Sequence, residues 1–582
     1  MTSRTSSVKS YPALSLFKTT LKKQTAATLL VTAFSLLICP GTTIREALWY
    51  LTNLYPEEKF QISEHLQFAS VFSLGLSVAL VFLLYLINFN FLFSKKTGDL
   101  FHSLPLTRNE LLFSRALPAY IGGLFTMTLS FLGFCAANLM PAVEPAKADL
   151  LVTTYLLMVL FLTALSAFLL LFFVCSGGIF DTIIAILVVS VAPAAIGAIL
   201  NSVAENVATG VIVKSNWLIY VCPFAFAFFK LASYTDNYHS DYHGNIIEDI
   251  EKVTIWSVLG TLLFAVICIV LCIRLFKIRK SETAGSAYSF KFLPFILGLF
   301  VSMVGGYVIG IIFSGDIDSL NPLFWIFFTV GAILCAVAFG AISTRGFKKV
   351  PRSLLNGGIA VAIMIALTTG TTVTATIAES KVPKAENVKS VEVGYNETAV
   401  FCDPEDIKLV VDIHKSIVDN VGGWGPYEHN DYSSFSHNFG DFRLKYTMKN
   451  GTVIERDYYM ALIQNKSTQL LKLMKTEEFF AKFSDITVTN AEVNFDAYFV
   501  NKESGITKEE LRGVLTASET EEFIAIFKSE LMKADDSVFN EECYDVNLVS
   551  EKYYGLYLPL SFTKSINYLE NHISEDNTEF YK

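Results

Sequence analysis

The sequence predicts an α-helical polytopic membrane protein of about nine transmembrane helices, N-terminus in and C-terminus out, joined to an extracellular α+β domain. Three observations carry that reading. Of 582 residues, 52% are apolar and 17% charged, against about 25% charged in ordinary soluble chains. Nine apolar stretches are long enough to cross a bilayer. The composition then changes abruptly: residues 377–582 hold 36 acidic and 21 basic side chains, and residues 1–376 hold 18 and 24. The overall −9 is therefore a mean over a basic membrane half and an acidic domain of −15. Disordered, collagenous and disulfide-stapled classes are excluded by the same figures.

The spans fall at about 24–40, 68–93, 117–140, 150–174, 178–200, 253–275, 292–313, 322–343 and 355–376. A hydrocarbon core of about 30 Å needs about 20 apolar residues, and only closed backbone hydrogen bonding is tolerated there. With the N-terminus inside, the inner segments 1–23, 94–116, 175–177, 274–291 and 344–354 hold 18 of the 24 basic residues. That bias sets the orientation. An odd number of spans puts 377–582 outside.

Val211–Phe229 is apolar but interrupted by Lys214, Ser215, Asn216 and Pro223. Were it a span, every later loop would flip and the bias would be lost. It reads instead as an outer interfacial or re-entrant segment. The apolar run near the N-terminus reads as an uncleaved first span. Its basic lead is too long for a signal peptide, and Ile38 is too large for a lipoprotein box at Cys39.

The span interiors are nearly free of ionisable groups. Asp181 and Arg274 lie near inner ends, which speaks against an ion-coupled transporter, a membrane protease or a redox enzyme. Gly306-x-x-x-Gly310 is a close-packing motif, and Pro193 is expected to kink the fifth span. His239 and His243 in an outer loop have i, i+4 spacing but no third ligand, so an ordinary polar loop is the plainer reading. No phosphate-binding G-x-x-x-x-G-K-[ST] loop occurs, so any ATP-driven work needs a partner.

The loop after the second span carries the functional argument. It reads Phe93-Ser94-Lys95-Lys96-Thr97-Gly98-Asp99-Leu100-Phe101-His102-Ser103-Leu104-Pro105-Leu106-Thr107-Arg108-Asn109-Glu110-Leu111-Leu112-Phe113-Ser114-Arg115. Leu100, Phe101, Leu104 and Leu106 would face water if nothing covered them, which suggests docking. Thr107 and Glu110 form a capping box for a helix starting at Arg108. A short helix, a turn at Ser103-Leu104-Pro105 and then the third span are expected.

This loop resembles the signature of ABC-2-type transporter permeases of Gram-positive bacteria. The family pattern falls on Ser103, Leu104, Pro105, Arg108 and Leu111, with Arg115 at the basic position that usually follows. Tyr220-Val221-Cys222-Pro223-Phe224 is similar to the family's region before the sixth span. The resemblance implies a six-helix permease core at 1–276, three further spans at 277–376, and the outer domain at 377–582. That arrangement belongs to a larger subgroup, whose outer domain is similar at Asp412-Ile413-His414-Lys415, Tyr446–Gly451 and Arg456-Asp457-Tyr458. It implies that a separate cytoplasmic ATPase docks on 94–116, at Leu100, Phe101, Ser103, Leu104, Pro105, Arg108, Glu110, Leu111 and Arg115. ATP and Mg would sit on that partner, with no cofactor in this chain. A second permease subunit, identical or related, is also implied.

In 377–582, Val388–Val393 reads as a strand and Pro404–Val418 as a helix capped by Asp403. Phe442–Met448 and Thr452–Tyr458 flank Asn450-Gly451, a hairpin signal. Thr468–Phe483 and Lys508–Lys533 read as helices, Val546–Pro559 as strand-like, Thr563–Asn571 as a short helix, with an internal split near 486. His414, beside apolar neighbours, is expected to be structural. The Glu519-Thr520-Glu521-Glu522 run suits a helix start. No glycines frame a nucleophilic Ser. Cys402 and Cys543 could pair if geometry allows. The acidic surface suits cationic ligands such as antimicrobial peptides and disfavours nucleic acid.

The expectation is thus a cell-membrane permease exporting or clearing a peptide, lipid or antibiotic-like substrate. The rival is a non-transporting sensor or scaffold whose outer domain binds a ligand; a third reading is an envelope enzyme using 377–582.

Overall fold

The structure is a computed structural model that describes residues 12–52, 60–61, 63–140, 143–144, 146–215, 217–236, 254–315, 322–347, 350–394, 399–420, 442–458, 467–484, 491–499, 510–541, 543–549 and 553–572. The His239–His243 pair and the split near 486 lie outside these. Two compact units form, one from 1–199 with 215–366 and the other from 200–214 with 367–582.

Nine helices among the described residues are long and apolar enough to cross a membrane, which by length and composition makes this a multi-pass membrane protein. They are α1 (Pro12–Thr52), α2 (Ser63–Asn88), α4 (Arg108–Ala137), α5 (Ala148–Cys175), α6 (Ile179–Val207), α9 (Ile255–Ile278), α10 (Phe292–Ser314), α11 (Pro322–Thr344) and α12 (Val350–Glu379). Between them lie α3 (Lys95–His102), α7 (Trp217–Val221) and α8 (Pro223–Asp236), and the short parallel strands β1 (Phe60–Gln61) and β2 (Val143–Glu144). All nine expected spans have their helix. The first runs further than its apolar stretch, straight through Pro40. Just past it, the Thr42 and Thr43 hydroxyls donate to the carbonyls of Ile38 and Cys39. α6 likewise continues through Pro193.

The buried face of α1 is polar but uncharged. Thr20, Gln24, Thr28, Thr32, Ser35 and Thr43 all lie on it. Thr32 meets Thr126 of α4 at 2.8 Å, and Ser130 donates to Ser35 at 2.5 Å. The Gln24 amide donates to the carbonyl of Pro118 and accepts from Asn88. Small polar residues let helices approach closely and bond across the seam. Gly306 and Gly310 serve α10 in the same way. An added Cβ would come within 2.8 Å of Ala332 Cβ and of the Phe324 ring on α11.

Val211–Phe229 holds no long helix. α7 and α8 are separated at Cys222-Pro223, and they insert among the long helices. Phe224 lies 5.9 Å from Phe168, in the last third of α5, and Phe226 lies 6.1 Å from Phe161. α8 then runs along α5, and Lys230 and Leu157 line a small cavity between the two helices.

The second unit contains two four-stranded antiparallel sheets. The first is built from β3 (Val388–Val393), β4 (Ala399–Phe401), β5 (Phe442–Met448) and β6 (Val453–Tyr458), in the order β4-β3-β5-β6, with α13 (Pro404–Asn420) and α14 (Ser467–Met474). After α15 (Glu477–Ala481), the second uses β7 (Ala491–Phe499), β8 (Glu510–Leu515), β9 (Cys543–Val549) and β10 (Tyr553–Pro559), in the order β8-β7-β9-β10, with α16 (Ala517–Leu531) and α17 (Thr563–His572). Both read strand, strand, helix, strand, strand, helix, and both have the second strand at one edge and the fourth at the other. The domain is a tandem repeat.

Asp403 caps α13 through the Glu405 amide at 2.9 Å. Gly451, at φ +83°, closes the β5–β6 hairpin, where Asn450 Oδ1 accepts from the Thr452 amide. Two helix expectations are corrected. Thr468–Phe483 breaks in two because Thr476 caps a new helix, accepting from the Phe479 amide. In Lys508–Lys533 the first part is β8, which pairs with β7 from Ala491↔Leu515 to Asp496↔Glu510. Gly513 lowers helix propensity there, and the Thr516–Glu519 capping box starts α16 only afterwards. Val546–Pro559 is a hairpin of two strands. Cys402 and Cys543 are unpaired: Cys402 is exposed, and Cys543 is buried in β9 of the other repeat.

Candidate functional site

The Phe93–Arg115 loop folds as expected in outline. α3 ends at Ser103, whose amide bonds the Asp99 carbonyl and whose hydroxyl donates to the Leu100 carbonyl at 2.8 Å. A tight turn follows, with the Leu106 amide bonding the Leu104 carbonyl across Pro105. The Thr107 amide then donates to Glu110 Oε2 at 2.7 Å and the Glu110 amide to Thr107 Oγ1 at 3.3 Å, so the capping box is formed.

The nine candidate residues do not form one exposed face. Leu100 is 64% exposed, and Ser103 and Pro105 are exposed beside it. Leu104 is half-buried. Phe101 turns inward, with its ring 4.7 Å from that of Phe91 and the Arg115 guanidinium 4.6 Å above it. Leu111 is buried in the bundle core. Gly98 lies against this corner, where an added Cβ would sit 3.2 Å from the Phe91 carbonyl.

Arg108 does not reach out toward a partner. Its guanidinium donates to the carbonyls of Phe276 and Lys277, each at 3.2 Å, and to that of Arg279, all at the end of α9. The last carbonyls of a helix lack intrahelical partners, and a cation suits that end. Sequence reasoning missed the complementary group, Arg279. It is 5% exposed and donates to the Phe173 and Val174 carbonyls at the end of α5 and to the Leu92 carbonyl at 2.9 Å. As one of five basic residues in its segment, nothing in the sequence set it apart. The linker after α9 folds back on the α5–α6 turn. Gly177 donates to Ala287, and Ser289 to the Cys175 carbonyl. Asp181, at the start of α6, pairs with Arg345 at 3.8 Å. One corner thus gathers α3, the start of α4 and the ends of α5 and α9.

The second unit has its own polar centre. His414, fully buried on α13, lies between two tyrosines: Nδ1 is 3.1 Å from Tyr446 Oη, and Nε2 is 2.8 Å from Tyr458 Oη. Neutral imidazole donates from one nitrogen and accepts at the other, so both hydroxyls are served. Burial, with Arg456 nearby, pushes the imidazole down to about 3. His414 is structural, as expected. In the second repeat Phe527 stands at the same step past its N-cap. Strand register puts Leu548 opposite Val493 and Leu558 opposite Tyr544, the places of Tyr446 and Tyr458.

That polar centre adjoins an attachment. Arg456 donates to the Ala378 carbonyl at 2.7 Å, near the end of α12. Val211 bridges antiparallel to Arg456, and the Asp457 amide donates to the Gly210 carbonyl at 3.0 Å. The Thr209 amide donates to Glu379 at 2.9 Å, and Lys214 pairs with Glu455 at 3.2 Å. The chain leaving α6 is therefore laid along β6 and clasped to the end of α12.

No family model, curated protein or solved structure matches this chain.

Proposed function

We propose that the protein is the membrane-spanning permease subunit of an ABC-2-type transporter, energised by a separate cytoplasmic ATPase that docks on α3 and the turn after it. The observation that carries the reading is the corner at α3. Its outer side offers Lys95, Lys96, Asp99 and Leu100, all exposed, and its inner side is tied through Phe101, Arg115, Arg108 and Arg279 to three long helices. A push on α3 would be felt by α4, α5 and α9 together, as a two-state rearrangement of the helices requires. The loop's resemblance to ABC-2 permeases and the basic bias of its segments support a cytoplasmic location.

In this reading the N-terminus is cytoplasmic, 377–582 is extracellular, and a second permease subunit completes the transporter in the cell membrane. ATP and Mg belong to the partner. The direction is export or clearance at the envelope, of a peptide, lipid or antibiotic-like compound. The clasp of β6 on residues 209–214 favours a second reading, in which the outer domain relays ligand binding and the spans transport nothing.

Capture in mild detergent tests the first reading. The wild type should retain an ATPase, and Leu100→Asp should lose it while still running as a monodisperse peak. Retention by Leu100→Asp would reject the docking assignment. Ligand-dependent signalling without ATP turnover would favour the second reading.

A further inference from the structure

A cavity of about 410 Å³ lies between α5, α8 and α9, inside the about 300–1,000 Å³ range of small-molecule sites. Its floor is aromatic and aliphatic, from Phe161, Leu165, Phe226 and Phe264. Tyr220, Trp256 and Ser257 also line it, and Trp256 is 78% exposed at the first turn of α9. Among the described residues, no atom lies within 4 Å of where a Cβ of Gly260 would be. Lys230 holds its ammonium over the Tyr220 ring, 5.5 Å from the centroid. It also lines a smaller cavity that shares Phe161, Ser257 and Thr261 with the larger one. The two cavities are neighbours, the larger with an apolar body and the smaller with the Lys230 cation on its wall. The walls of the larger come from α5 and α9, two helices long and apolar enough to cross a membrane, and from α7 and α8.

We infer that these neighbouring cavities bind an anionic phospholipid, with an acyl chain among Phe161, Phe226 and Phe264 and the headgroup phosphate toward Lys230. The charge decides between lipid classes. A phosphodiester with a net negative head gains from the ammonium, whereas a zwitterionic head carries its own cation. The aromatic rim suits the interfacial depth that Trp and Tyr favour. That such a lipid is the transported substrate rests on the permease reading; that it binds does not.

The test uses the full-length protein in nanodiscs containing brominated phosphatidylglycerol or brominated phosphatidylcholine at equal mole fraction. Fluorescence of Trp256 is taken as the difference between wild type and Trp256→Phe. Brominated phosphatidylglycerol should quench it at least twofold more strongly. Gly260→Leu, whose Cβ would enter open space and whose branch would occupy the cavity, should abolish that difference. Lys230→Gln should remove the headgroup preference and keep quenching. Equal quenching by the two lipids in the wild type, or a preference that survives Gly260→Leu, overturns the site. Stronger quenching by a brominated fatty acid than by phosphatidylglycerol overturns the phospholipid in favour of a single-chain amphiphile. ATPase stimulation by phosphatidylglycerol in the captured complex is read separately. Its absence with quenching intact rejects the substrate role and leaves the site standing.

Discussion

Arg108 donates to the carbonyl of Arg279, and Arg279 in turn donates to the ends of α5 and to Leu92. Two cations in series thus satisfy the last carbonyls of two long helices. Removing the inner one leaves three carbonyls without their donor. Each unsatisfied buried group costs about 1–3 kcal/mol. Arg279→Leu should therefore lower the melting temperature in detergent by several degrees or abolish folding. Arg108→Lys keeps the charge and loses the planar fork, and should cost less. Leu100→Ala should leave the melting temperature unchanged. A thermal shift monitored by size exclusion checks all three, and equal melting of Arg279→Leu and wild type would refute the role.

Gly210 holds φ +75° with its Cα against Tyr458. A Cβ there would come within 2.0 Å of the Tyr458 ring. Gly210→Ala should therefore detach residues 209–214 from β6, at a cost of about 1–3 kcal/mol for the strained backbone alone. The measure is disulfide formation in Val211→Cys/Arg456→Cys, two positions that face each other across the antiparallel bridge. The pair should cross-link readily in the wild-type background and poorly with Gly210→Ala. Unchanged cross-linking would refute the clasp.

The nine apolar helices were legible because length and hydropathy are local properties. So were the loop's helix, turn and capping box, each dictated by a few neighbouring residues. The partners of Arg108 and Arg279 were not legible, because a basic residue at a helix end looks the same whether it meets lipid headgroups, a partner or another helix. The tandem repeat was hidden for a different reason. Equivalent sites carry His414 and Phe527, Tyr446 and Leu548, Tyr458 and Leu558, so the two halves share topology while their central side chains differ in chemistry. β8 was misread because Leu511–Leu515 is a five-residue stretch with only three apolar side chains next to a strong helix, and periodicity cannot separate so short a segment from it.

The Thr32–Thr126 and Ser130–Ser35 bonds join α1 to α4 across a seam with no charge. Interhelical hydrogen bonds in a membrane contribute about 0.6–2 kcal/mol each. Thr32→Val keeps the volume and deletes the hydroxyl, leaving Thr126 bonded to the Gly122 carbonyl of its own helix. The loss should sit at the low end of that range. Thr32→Val with Ser35→Ala should lower stability further, and its departure from the sum of the single losses reports the coupling between two sites one turn apart. Denaturation in mixed micelles measures both, and a double variant as stable as wild type would show that the seam is held by packing alone.

The second unit should weaken in mild acid through one residue. The His414 imidazole falls to about 3 when folded, against 6.5 for the free side chain. The unfolded chain therefore takes up a proton below pH 6.5 that the folded domain refuses until about pH 3. Stability from this group is fully present above pH 6.5 and declines as pH falls through the window between the two values. The slope is about 1.4 kcal/mol per pH unit, or about 2 kcal/mol lost between pH 6.5 and pH 5. Tyr446 and Tyr458 stay neutral throughout, since burial raises both, so they add nothing to the slope. The second repeat shows what removes the effect, since Phe527 occupies the corresponding place. A triple variant His414→Phe, Tyr446→Leu, Tyr458→Leu copies that apolar arrangement and should fold with a flat profile between pH 7 and pH 5. Pulse proteolysis of the full-length protein in urea, read on fragments of residues 377–582, gives the profile. A wild-type domain equally stable at pH 7 and pH 5 would mean that His414 is charged or solvated in the fold.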